Sequence, residues 1–213
     1  MVQFERNSVV GYKDIEIPYM LIRKEEGTKR LAIILPGVGY TAQAPLLHYA
    51  MNVFLGKGFD VLQVNYQYNN NLAYADFSEI ATAIKLDVKA VLDNFLEAKV
   101  YEDFCLIGKS LGTIAMSSEL HREAFKNAKA IWLTPLIQRE DVLHAMVSSE
   151  QKGLCIIGDH DFCYSEEPYL KVVANENITA KLIPNVDHSL EYEGDVLGSV
   201  EVLREVVREM EGF

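Results

Sequence analysis

The sequence predicts an α/β fold, a mostly parallel twisted sheet with helices on both faces. Three observations carry that expectation. Short uncharged runs such as Leu31-Ala32-Ile33-Ile34-Leu35 and Leu154-Cys155-Ile156-Ile157-Gly158 suit central parallel strands buried on both faces. Segments between such runs repeat their apolar residues at helical spacing. The two signals alternate at a rhythm that allows one crossover helix per strand. Right-handed crossovers put the C-terminal ends of the strands on one edge, where open α/β sheets carry their sites.

The elements follow in order. Residues 2–30 read as an opening hairpin region, with partial alternation over 14–22 and a turn at 25–28. Residues 31–35 are the first buried strand, ending in Pro36-Gly37-Val38-Gly39-Tyr40. A helix is expected over 43–57, stopped by Gly56 and Gly58, and a strand over 60–66. Residues 78–97 carry the best helical stripe, Ile80, Ile84, Val88, Val91, Leu92 and Phe95, with Ser78 as a possible N-cap. A strand at 103–107 leads into a helix at about 111–126, and a strand at 129–134 into a short helix at 138–149. The strand at 154–158, a helix at 166–174, a last strand at 180–184 and an amphipathic helix at 194–210 complete the chain.

A chain of 213 residues with 49% hydrophobic content fits one domain, 1–213, with its own core. The net charge of -11 argues against nucleic acid or an anionic membrane as partner, because phosphate binding needs clustered Lys and Arg. Neither a signal-length apolar segment near Met1 nor a bilayer-length apolar run is present, so a cytoplasmic protein is expected. Cys105 and Cys155 lie in strand-like runs and Cys163 in a loop, an odd set without disulfide spacing.

Chemistry concentrates at four strand exits. The run Phe104 to Ile107 ends in Gly108-Lys109-Ser110-Leu111-Gly112, a Gly-x-Ser-x-Gly corner between strand and helix. Such a corner presents the hydroxyl in the open, and a Cβ at either glycine would meet a neighbouring segment. Alone, the pattern also fits a turn whose serine caps a helix. Serine needs a base, and the base an orienting carboxylate. Of five histidines, His48 and His144 fall in helical segments and His121 at the end of one. His160 and His188 follow strands, and only His188 lies between the last strand and the last helix. Asp159 and Asp161 are the candidate acids, and Asp161 is preferred as the one further out in its loop. The order Ser110, Asp161, His188 is that of one convergent triad solution. Two backbone donors would form an oxyanion hole, the N–H of Leu111 after the serine and that of Val38 after the Gly37 turn.

These motifs, Leu35-Pro36-Gly37-Val38-Gly39, Gly108-Lys109-Ser110-Leu111-Gly112, Gly158-Asp159-His160-Asp161 and Asp187-His188-Ser189, make the chain resemble a small α/β-hydrolase-fold enzyme over roughly residues 10–210. The resemblance implies a Ser-Asp-His hydrolase, carboxylesterase-like, acting on a small-molecule ester, thioester or amide through an acyl-enzyme, with no cofactor or metal. Pro36 stands where many members have His. Only roughly 20 residues separate the strands at 129–134 and 154–158, too few for a large cap domain. An open pocket is expected, shaped by loops at 67–77, 135–138 and 162–164, with Tyr40, Tyr74, Leu136 and Tyr164 as candidate substrate-binding residues. Two other readings compete. One is a non-catalytic protein of the same fold that binds a ligand or partner. The other is a metallohydrolase using Asp159, His160, Asp161, Asp187 and His188, for which no His-x-x-x-His spacing fixes the ligands.

Overall fold

The computed structural model of the protein describes residues 2–24, 27–68, 72 and 75–213. It opens on a hairpin. β1 (Gln3–Val10) and β2 (Glu16–Arg23) pair antiparallel, from Gln3 opposite Arg23 to Val10 opposite Glu16. The chain then alternates: β3 (Arg30–Leu35), α1 (Pro45–Gly56), β4 (Asp60–Val64), α2 (Phe77–Ala98), β5 (Asp103–Lys109) and α3 (Gly112–Glu119). It continues with β6 (Lys129–Leu133), α4 (Glu140–Val147), β7 (Gly153–Gly158), α5 (Glu166–Val173), β8 (Ile178–Ile183) and α6 (Val196–Gly212).

All eight strands form one sheet in the order β1-β2-β4-β3-β5-β6-β7-β8. The six strands from β4 to β8 are parallel, and β2 joins β4 antiparallel. The apolar strands divide their side chains between two cores, as the period of two requires. Ile33, Leu106, Trp132 and Cys155 face α2, α3, α4 and α5. Ile34, Ile107, Ile131 and Ile156 face α1 and α6. Ile84 of α2 is fully buried in the first core, and truncating such a side chain to Ala costs about 2–5 kcal/mol.

Two helix ends differ from the sequence expectation. The N-cap of α2 is Asp76, whose carboxylate accepts the Glu79 N–H at 2.8 Å, rather than Ser78. The helix after the serine corner ends at Glu119 instead of running to about 126. Ser117 and Ser118 turn their hydroxyls back onto the carbonyls of Ile114 and Ala115, each at 2.8 Å, and such local bonds compete with helix propagation. A 3₁₀ turn at Glu123–Phe125 then sets Phe125 into the core. The connection from β6 to β7 carries a single helix of eight residues, α4, and no cap domain. No helix among the described residues is long and apolar enough to cross a membrane.

Candidate active site

Parallel strands β3, β5, β6, β7 and β8 end side by side, and the site is built on their exits. At the end of β5 the chain must turn at once into α3. Ser110 does so in the left-handed region, at φ 51°. Its N–H still bonds the Leu133 carbonyl of β6 at 3.0 Å, and its own carbonyl accepts from the Thr113 N–H at 2.9 Å. Of the flanking glycines, Gly112 is forced by space and Gly108 is tightly placed. A Cβ on Gly112 would lie 2.0 Å from the Leu35 carbonyl oxygen, and one on Gly108 would lie 3.2 Å from Thr113 Cα. The Gly37 loop after β3 sits against the serine, since a Cβ there would come within 3.2 Å of Ser110 Cβ and 3.6 Å of its Oγ.

The loop after β8 carries His188 and is closed by its own bonds. Asp187 Oδ1 accepts the N–H groups of Ser189 and Glu191 at 2.7 and 3.1 Å, and Leu190 takes φ 63°. The loop rests on the end of β7, where a Cβ on Gly158 would meet the Val186 carbonyl oxygen at 2.1 Å. The two aspartates after β7 have separate duties. Asp159 Oδ1 accepts the Asn185 N–H at 2.6 Å and so pins the β8 exit, where Asn185 stands at φ 59°. Asp161 Oδ1 accepts from His188 Nδ1 at 2.8 Å and from the Cys163 N–H at 2.7 Å.

Ser110, His188 and Asp161 therefore form one hydrogen-bonded chain. A carboxylate can only accept, so His188 Nδ1 carries the hydrogen, and in the neutral ring Nε2 is left as an acceptor. Ser110 Oγ lies 2.7 Å from that nitrogen and donates to it. The Asp161 side chain is fully buried, and that of His188 is 19% exposed, which leaves the serine end open to a substrate. The arrangement can move a proton from Ser110 to His188 while a buried charge faces the imidazole. Among the described residues, no protein acceptor takes the loop N–H of Val38 or that of Leu111.

A recess of about 270 Å³ opens beside the Gly37 loop, lined in part by Val38, Gly39, Asn65, Tyr66 and Gln67. Tyr66 donates its hydroxyl to the Pro36 carbonyl and so fixes that loop from below. A separate hollow of about 360 Å³ lies between α1, the His188 loop and α6, and the three bonded side chains are not part of its wall.

Neither a family model nor a curated protein sequence matches the chain. Solved structures do match it. An α/β serine hydrolase homologue from Coxiella burnetii aligns with a TM-score of 0.68 at 16% identity, over 96% of each chain. A serine hydrolase without a lid from Xanthomonas campestris aligns at 0.67 and 15% identity, over 97% of this chain and 94% of that one. An esterase from Pyrococcus furiosus aligns at 0.70 and 14% identity, over 99% and 93%. The chain has the α/β-hydrolase fold.

In this α/β-hydrolase fold the other expected residues take varied positions. His48, His121, His144 and His160 are exposed. Tyr40 is half-buried, lines the hollow behind the His188 loop, and its hydroxyl accepts the Leu46 N–H at 3.1 Å. Leu136 is not an open lining residue: it is buried in the core with Ile137 and Val142. Tyr164 packs beside that core against Tyr169, and Tyr74 lies outside the described residues. The five residues of the metallohydrolase reading do not converge. Asp159 and Asp187 are engaged with loop N–H groups, and the described atoms of potential ligand type that lie within 4.8 Å of one another belong to Asp161, Cys163 and His188.

Three details of the site go beyond the sequence reading, which placed Phe162 and Cys163 in a loop shaping the pocket and Lys109 in the Gly-x-Ser-x-Gly corner without a role for any of them. Cys163 is a buried thiol beside Asp161, pushed up to about 12 by burial and then by that carboxylate. Phe162 is 74% exposed with its ring 4.4 Å from that of His188. Lys109 is buried under the site, although a lysine after an apolar run reads as a solvent-facing strand end. Only its place inside the Gly-x-Ser-x-Gly corner, where the chain enters the crowded sheet edge, could have signalled burial.

Proposed function

We propose that the protein is a serine hydrolase that cleaves an ester or thioester of a small acyl substrate through an acyl-enzyme. Ser110, His188 and Asp161 are its triad. The observation that carries this reading is the unbroken chain from Asp161 Oδ1 through both imidazole nitrogens to Ser110 Oγ, at 2.8 and 2.7 Å. Ser110 Oγ attacks the acyl carbon while His188 Nε2 takes its proton. Asp161 holds the tautomer and stabilises the imidazolium as it forms. The carbonyl oxygen becomes negative and is received by the N–H groups of Leu111 and Val38. The same proton then passes from Nε2 to the departing oxygen or sulfur as the acyl bond breaks. Water repeats the sequence on the acyl-enzyme and releases the acid. The serine hydrolases and the esterase among the structural neighbours support the same reaction class.

A fluorophosphonate probe tests the reading. Wild type is expected to be labelled at Ser110 and Ser110→Ala not at all, with a loss of turnover of about four orders of magnitude or more. Intact, folded wild type that resists the probe would instead favour the ligand-binding alternative. A panel of p-nitrophenyl and coenzyme A esters of increasing chain length then defines the acyl and leaving groups.

A further inference from the structure

Lys109 ends β5 immediately before Ser110, and only 1% of it is exposed. An ammonium has three donor directions, and all three are met. Nζ donates to Thr134 Oγ1 at 3.0 Å and to the backbone carbonyl of His188 at 2.9 Å, and it lies over the Tyr40 ring at 4.5 Å from the centroid. These partners leave the sheet at three different exits, those of β3, β6 and β8. Thr134 holds φ 43° where it meets Lys109, a conformation uncommon outside glycine.

Packing alone does not account for a charge here. A methionine would fill similar space without the cost of stripping an ammonium of water. The groups that face Lys109 are Asp161 and Cys163 after β7, Asp187 and Glu191 after β8, besides the Tyr40 and His188 contacts. Two oxygen acceptors and an aromatic face around Nζ suit the ammonium form, while burial pulls its pKa down to about 8, with Asp161 and Asp187 foremost among the groups that oppose the pull. Asp161 Oδ2 has no hydrogen-bond donor among the described residues, which leaves a buried half-carboxylate whose compensation must come through space. A carboxylate held against an imidazole, as Asp161 is against His188, favours the protonated ring, and a protonated imidazole cannot accept the serine proton.

We propose that Lys109 is a positioning residue for the triad. Its bond to the His188 carbonyl fixes the loop of the base, and its charge opposes that of Asp161, so that the imidazole takes up a proton less readily than it would without the lysine. The catalytic part of this rests on the serine hydrolase reading, whereas the coupling between Lys109 and His188 does not.

The test uses Lys109→Met, which removes bond and charge, and Lys109→Gln, whose amide can still donate to the carbonyl but carries no charge. The His188 ring protons are titrated by NMR in each protein, and kcat/KM for p-nitrophenyl acetate is followed against pH. Both variants are expected to move the His188 titration, and with it the acid limb of kcat/KM, upward by about one pH unit. Well above that limb, Lys109→Gln is expected to keep turnover within about threefold of wild type and Lys109→Met to lose about tenfold or more. An unmoved titration in the variants, or wild-type turnover in Lys109→Met, overturns the proposal. Should Lys109→Met fail to fold, Lys109→Gln carries the titration, and an unmoved titration in that variant alone overturns the proposal. If wild type cleaves no ester and resists the fluorophosphonate, the hydrolase reading falls, and the NMR titration still decides the coupling.

Discussion

Asp159 and Asp161 stand two residues apart in one loop and face different partners. Asp161 meets the imidazole of His188, while Asp159 holds the Asn185 N–H and with it the direction in which the histidine loop leaves β8. Their amide variants are expected to part accordingly. Asp161→Asn presents the wrong partner to Nδ1 and should lower kcat by about three to four orders of magnitude with little change in stability. Asp159→Asn keeps an oxygen for the Asn185 N–H and should cost no more than about 1 kcal/mol of stability, with kcat within about tenfold of wild type. Steady-state kinetics and denaturant unfolding of the two proteins read this directly. A chain order of serine, acid and histidine at strand exits was enough to nominate these side chains from sequence, because loop position decides what can reach across a sheet edge. The burial of Lys109 and Cys163 was not legible, because it depends on which exits crowd together and not on their own neighbours in the chain.

At the scale of elements, the strands were the readable part. Parallel strands covered on both faces must be continuously apolar, so β3, β5, β6 and β7 stand out in the sequence, and the stripe of α2 is equally plain. Helix ends were less so, because a cap depends on one side chain's local bond: Asp76 supplies it for α2, and two serine hydroxyls shorten α3. The loop after β3 is held by a residue two past the end of β4. Tyr66 is buried, stacks on Tyr68 and donates to the Pro36 carbonyl. That hydroxyl supports a loop whose first residue, proline, has no polar side chain of its own. Tyr66→Phe leaves a buried carbonyl unpaired and is expected to cost about 1–3 kcal/mol. Under the proposed mechanism it lowers kcat more than it raises KM, since the Val38 N–H acts chiefly on the developing oxyanion.

For the whole molecule, buried acids shape the response to pH. Asp60, Asp87 and Glu119 are all buried, and burial raises the proton affinity of each above the ordinary carboxyl range. A carboxyl raised on folding binds its proton more tightly in the folded chain, so it adds stability as pH falls through its folded value and loses that contribution as pH rises. Asp141 works the other way. Against the pull of burial, hydrogen bonds from Arg139 and Lys85 hold it at about 2, and its stabilisation is lost as pH falls through that value. The denaturant midpoint is therefore expected to rise as pH falls from neutral toward the ordinary carboxyl range and to fall again at lower pH as Asp141 takes up its proton, with Asp87→Asn flattening the first slope. Under the proposed mechanism acid has the opposite effect on activity, because a protonated imidazole cannot act as base. The short β6–β7 connection has a consequence of a different kind. Among the described residues no cap domain covers the site, and under the proposed mechanism water then reaches an acyl-serine as readily as any other small nucleophile does. An added alcohol or amine would then divide the acyl group with water in proportion to its concentration and intrinsic reactivity, which biases such a protein toward hydrolysis over group transfer in dilute solution.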